Sequence, residues 1–224
     1  MTRIDPAVLT LPFRGTWRAE MSPARRVPSH GTHQFAATYA IDFLAVEGGR
    51  SAATRDWRTL LSTEPPERFY AFGRPILAPS TGRVVEVHDG EPDHEARRSQ
   101  LALASYALTQ AQRARGGAGV LAGNHVILER DDGGYVALAH LRAGSIRVAV
   151  GERLAVGQEV GRCGNSGNSS QPHVHVQVMD SPDPVTARGL PLVFRDYRVR
   201  PRAGGEAIVV ARGIPGEKQV VEPL

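Results

Sequence analysis

Val148-Ala149-Val150-Gly151-Glu152-Arg153-Leu154-Ala155-Val156-Gly157-Gln158-Glu159-Val160-Gly161 alternates short apolar runs with glycine. Such a segment predicts strands that turn sharply around a compact, barrel-like sandwich. Just upstream, His125-Val126-Ile127-Leu128 and Tyr135-Val136-Ala137-Leu138-Ala139 flank Asp131-Asp132-Gly133-Gly134, a turn composition that predicts a β-hairpin. Farther upstream, Pro75-Ile76-Leu77-Ala78-Pro79 leads through Ser80-Thr81-Gly82 into Val84-Val85-Glu86-Val87, which is read as a second hairpin. Tyr39-Ala40-Ile41-Asp42-Phe43-Leu44 predicts a core strand. Inside it, Asp42 needs a partner or a metal to offset its desolvation. The fold class expected from these segments is mainly β.

The chain has 224 residues, 41% of them hydrophobic, enough for one sizeable core and one domain with insertions. Residues 1–29 carry four prolines and no sustained period, and are expected as an extended arm laid on the domain. The domain proper is expected over 30–200, with insertions at about 47–72 and 91–123 and a tail over 201–224. Within the second insertion, Ala96 to Arg115 is rich in Ala, Leu, Gln and Arg and predicts one helix. The net charge of +4 comes from scattered arginines, with no zinc-finger or aromatic RNA-binding signature, so no nucleic-acid partner is expected. A single cysteine, Cys163, excludes an intrachain disulfide and a cysteine-ligated zinc site, and is expected to be a small buried hydrophobe. Met1 to Pro6 lacks the features of a secretory signal, and no stretch is long and apolar enough to span a bilayer. The expectation is a cytoplasmic protein, or one acting at a cell wall if a leader precedes this sequence. The sequence leaves the oligomeric state open.

His173 and His175 lie two apart in an alternating segment that runs on through Val176-Gln177-Val178. Their rings therefore share one face of a strand. Two imidazoles so placed share a metal, or divide metal binding and proton transfer, or are ordinary strand histidines beside a loop. The loop before them, Gly164 to Pro172, is small and polar and suits close approach of backbone to a ligand. His140 ends the strand begun at Tyr135, at a sheet rim, and Asp42 offers an anionic oxygen that zinc accepts beside histidine nitrogen. His30 and His33 lie upstream within reach of the same edge.

The ordered run Gly123-Asn124-His125-Val126-Ile127, Ala139-His140-Leu141, Val150-Gly151, Gly157-Gln158, Gly164-Asn165-Ser166-Gly167 and His173-Val174-His175 resembles the lysostaphin/LytM-type zinc metallopeptidase family. Tyr39 to Phe43 and Gly189-Leu190-Pro191 match further elements. The resemblance implies a duplicated-hybrid-motif β fold and one zinc held by two histidines and an aspartate. It also implies hydrolysis of short peptide links, usually in bacterial peptidoglycan. By motif position, His175 and Asp42 are expected as zinc ligands, and His140 and His173 as the catalytic pair. The family's usual histidine four residues before the aspartate is replaced by Thr38, a poor zinc ligand. His33 is expected to supply the missing ring, with His30 as its rival. No His-Glu-x-x-His helix supplies a glutamate base.

Two other readings compete with the peptidase. A metal-free, degenerate member acting as a binding or regulatory module follows from Thr38, although Asp42, His140, His173 and His175 all survive. A lipoyl, biotinyl or phosphohistidine domain would share the glycine-punctuated strands, but the one lysine is Lys218, far from any such turn, and a phosphohistidine domain gives no reason for Asp42.

Overall fold

The computed structural model describes residues 5–53, 55–99, 118–201 and 205–224. These form strands β1 (Ala7–Leu9), β2 (Trp17–Glu20), β3 (Ile41–Ala45), β4 (Pro75–Leu77), β5 (Gly82–His88), β6 (Asn124–Arg130) and β7 (Tyr135–Leu141). They continue with β8 (Arg153–Leu154), β9 (Glu159–Arg162), β10 (Val174–Met179), β11 (Gly189–Leu190), β12 (Leu192–Arg200), β13 (Ile208–Gly213) and β14 (Val220–Pro223). The described α-helices are short: α1 (Trp57–Leu61), capped by Asp56, and α2 (Ala118–Ala122). The mainly β expectation therefore holds.

One large sheet runs in the order β1-β12-β14-β2-β3-β10-β7-β6-β5-β8, with β11 on β10 and β13 on β12. Its centre is the antiparallel trio β3-β10-β7. Alternation along these strands sends Ile41 and Phe43, with Val174, Val176 and Val178, into the core. Asp42 and His175 take the opposite face. Aromatic packing anchors the inner side: Phe13 stacks on Trp17 at 4.5 Å and meets the edge of Phe43 at 5.0 Å, and Phe43 meets Phe194 at 5.4 Å. Truncating such a buried ring costs roughly 3–5 kcal/mol, so the face that carries the site rests on a stiff layer.

The structure differs from the sequence reading at three places. The segment expected as an arm laid on the domain supplies β1 and β2, and residues of the expected tail supply β13 and β14, all in the large sheet. Leu9, Leu11, Phe13 and Trp17 are fully or nearly fully buried, which proline spacing conceals. Second, β4 and β5 are not a hairpin: β4 pairs with β9 in a separate two-stranded sheet, while β5 is flanked by β6 and β8. With both edges of β5 occupied, β4 finds its backbone partners at β9 and at the Pro12 carbonyl. The β6–β7 hairpin forms as expected. Third, the helix expected from Ala96 to Arg115 lies outside the described residues from residue 100 onward, and Ala96 itself is not helical but bridges Glu64.

One backbone contact fixes the polar loop that precedes β10. A Cβ on Gly167 would lie 2.4 Å from the Gly123 backbone nitrogen, and Gly167 has φ 68. Only glycine permits both the approach and the conformation, and the contact presses this loop onto the start of β6.

Candidate active site

Asp42 on β3 and His175 on β10 are direct cross-strand partners, so the sheet itself sets their spacing. His175 Nδ1 lies 2.9 Å from Asp42 Oδ1. His30 arrives from outside the sheet and places Nε2 3.3 Å and 3.2 Å from the two carboxylate oxygens. One donor atom from each of His30, Asp42 and His175 lies within 4.8 Å of the others. Two imidazole nitrogens and one carboxylate oxygen form a donor set suited to a transition metal, and three protein donors is the number found in catalytic zinc sites. The residues present therefore fit a metal ion.

His33, the histidine favoured from sequence, is not part of this group, and His30 replaces it. The reason is a loop closure. The Ser29 backbone N–H donates to the Thr38 carbonyl at 3.0 Å, which draws residue 30 alongside the entrance to β3 and leaves His33 on the outer part of the loop. There His33 is exposed, with Nδ1 3.1 Å from Thr38 Oγ1. Thr38 thus occupies the usual ligand position in the chain while His30 reaches the carboxylate in space.

The two expected catalytic histidines stand beside this group. His140, next to last in β7, has φ 62, a left-handed backbone that interrupts the strand's alternation. Its ring centroid lies 4.6 Å from that of His173 and 5.8 Å from that of His175. His140 Nδ1 is 3.0 Å from the Ser166 carbonyl. His173 Nδ1 is 2.8 Å from the Gln171 carbonyl and 3.0 Å from Ser169 Oγ. A carbonyl accepts only, so in both rings Nδ1 carries the proton and Nε2 is the basic nitrogen. For His173 that nitrogen lies 3.6 Å from Asp42 Oδ2.

The electrostatics divide His140, His173, His175 and the carboxylate into roles. Burial pushes the Asp42 pKa up, but His30 and His173 nearby, with hydrogen bonds from His175 and His30, hold it well below the usual carboxylate range. Burial lowers His140 well below the usual histidine range, and the neighbouring His173 and His175 lower it further. Burial also lowers His173, only partly offset by Asp42 and the Gln171 carbonyl. Both rings are therefore neutral near pH 7, as a proton acceptor must be. His175 moves the other way: burial depresses it, but Asp42 and Gln177 more than compensate. Cys163 is buried, and burial pushes its thiol far above its ordinary pKa.

The sequence reading missed Gln177, whose Oε1 lies 2.9 Å from His175 Nε2. The strand's period of two signals it, because Gln177 shares the face of His173 and His175.

The family model described as "Peptidase family M23" matches residues 68–187. No curated protein matches the chain. Among solved structures, the lysostaphin catalytic domain from Staphylococcus simulans is 20% identical, covering 68% of this chain and 77% of that one, at a TM-score of 0.38. The catalytic domain of a prophage-encoded M23 protein from Enterococcus faecalis is also 20% identical, over 68% of this chain and 73% of that one, at 0.39. Pseudoalterin, described as an M23 metalloprotease from the deep sea, is 13% identical over 94% of this chain and 96% of that one, at 0.45.

Proposed function

The chain belongs to peptidase family M23, and from that premise we propose that it is a zinc-dependent metalloendopeptidase that hydrolyses peptide bonds, in peptidoglycan or a related short peptide. The observation that carries this reading is the convergence of His30, Asp42 and His175 within 4.8 Å, with two neutral histidines alongside. His30, Asp42 and His175 would hold the ion through two nitrogens and one oxygen. When bound, zinc supplies Lewis acidity toward the scissile carbonyl and lowers the pKa of water.

The protein's own residues then have defined tasks. His140 and His173, each with Nδ1–H donated to a backbone carbonyl, present Nε2 as a proton acceptor toward the attacking water. The ring that takes the proton is afterwards the donor for the leaving amine. The Gln171 and Ser166 carbonyls keep each tautomer fixed, so no ring rotation is needed before transfer. Asp42, ionised at neutral pH, compensates the positive charge that the site accumulates. The metal-free alternative draws on Thr38, and His30 beside the carboxylate favours the metal reading over it.

Purified protein should hold about one zinc per chain by elemental analysis, and should release new α-amino groups from peptidoglycan or short peptides in a chelator-sensitive reaction. His175→Ala should lose the metal. Protein that takes up no zinc on incubation, or hydrolysis that survives both chelation and His175→Ala, would overturn the proposal.

A further inference from the structure

We propose that Gln177 is a positioning residue that holds two members of the metal group in place at once, His175 directly and His30 through its loop. Gln177 Oε1 accepts from His175 Nε2–H at 2.9 Å. Its amide nitrogen donates to the Phe35 carbonyl at 3.0 Å. The second bond decides the first. With the nitrogen committed to a carbonyl, only the amide oxygen is left to face the imidazole, so His175 must carry a proton on Nε2. Nδ1, the nitrogen that faces Asp42, is then the one left for a metal.

Phe35 lies in the loop that delivers His30. Phe35 and Ala36 have φ 55 and 60, conformations that residues with a side chain keep only where the surroundings hold them. Two contacts do so here. One is the Gln177 bond to the Phe35 carbonyl. The other is Gly189 on β11, where an added Cβ would lie 2.4 Å from the Ala36 carbonyl oxygen, so that the strand presses directly on the turn. The amide nitrogen also donates to Met179 Sδ at 3.0 Å, and Gln177 is only 7% exposed, which shields its bonds from competing water. A single amide therefore ties the strand that carries His175 to the loop that carries His30.

This inference rests on the metal site proposed above, and the test separates the two. Zinc affinity of the full chain is measured by chelator competition, and hydrogen exchange over residues 31–38 is measured in the metal-free protein. Gln177→Leu should weaken zinc binding by about 10–100-fold, the usual effect of losing a partner of a metal-bound histidine, and should speed exchange in the loop. Gln177→Glu restores an acceptor for His175 but has no donor for Phe35. It should exchange as fast as Gln177→Leu while recovering part of the zinc affinity. Wild-type affinity and wild-type exchange in Gln177→Leu would overturn the proposal, as would a Gln177→Glu variant that binds zinc no better than Gln177→Leu. If Gln177→Leu does not fold by circular dichroism, wild-type exchange in Gln177→Glu overturns it. A wild-type chain that takes no zinc defeats the metal reading, while the exchange measurements still decide whether the tie exists.

Discussion

His30 reaches Asp42 across a chain separation of 12 residues because a backbone bond closes the loop between them. Replacing His30 with alanine should therefore remove zinc from the purified protein, while His33→Ala should retain it; elemental analysis after dialysis distinguishes the two. His140→Ala, whose ring is assigned to proton transfer, should keep the metal and lose about 10²–10⁴-fold in turnover, the range for a positioned acid or base. Retained turnover in that variant would remove His140 from the mechanism. The residues that sequence made legible are those on strands. Asp42 on β3 and His175 on β10, with His173 one residue before β10, sit in alternating segments whose period of two assigns each side chain to a face. His30 was only a rival in the sequence, because its placement depends on a loop closure and on left-handed backbone at Phe35 and Ala36, which no periodicity announces.

At the scale of elements, the loop over Gly164 to Gln171 is the organising piece. It supplies the carbonyls of Ser166 and Gln171 that fix His140 and His173, and it is held at Gly167 by the close approach to Gly123. Gly167→Ala should destabilise the fold by about 1–3 kcal/mol through backbone strain and should lower activity further by shifting Ser166; a thermal melt with a turnover assay measures both. Beyond this loop, Glu64 in the first insertion is fully buried and receives two short bonds from Arg98 in the second, at 2.7 Å and 2.6 Å. Burial raises the Glu64 pKa, but Arg98, Thr59 and Arg68 outweigh it, and the net shift is downward. Its folded value therefore lies below its unfolded value of about 4.3. The stabilisation is fully present above about pH 4.3 and is lost as pH falls through the lower folded value. Glu64→Gln should cost on the order of 2 kcal/mol at pH 7, less than the roughly 3–5 of a wholly buried pair because Arg98 keeps some solvent contact. The difference from wild type should shrink as the pH of a denaturant titration is lowered below about 4. The sequence reads both segments as insertions from breaks in strand rhythm, but this pairing is not legible there, since Glu64 and Arg98 lie in segments with no shared pattern.

For the whole molecule, strand identity was easier to read than strand partnership. Apolar runs and glycines mark where strands begin and end, yet a sheet in which β2 lies between β14 and β3 joins segments from opposite ends of the chain. Local composition carries no information about such pairings. Residues 68–187 match the family, but His30 and Asp42 lie before that stretch. A fragment of 68–187 expressed alone should fail to unfold cooperatively and should bind no zinc, because it lacks β3 and two of the three proposed ligands. The placement of β3 against β10 also bears on how the protein is made. Asp42 and His175 are separated by 133 positions in the chain, and their strands meet only after nearly everything between has been synthesised. A nascent chain on the ribosome thus holds Asp42 and His175 apart, and the proposed site can assemble only after β10 has been made.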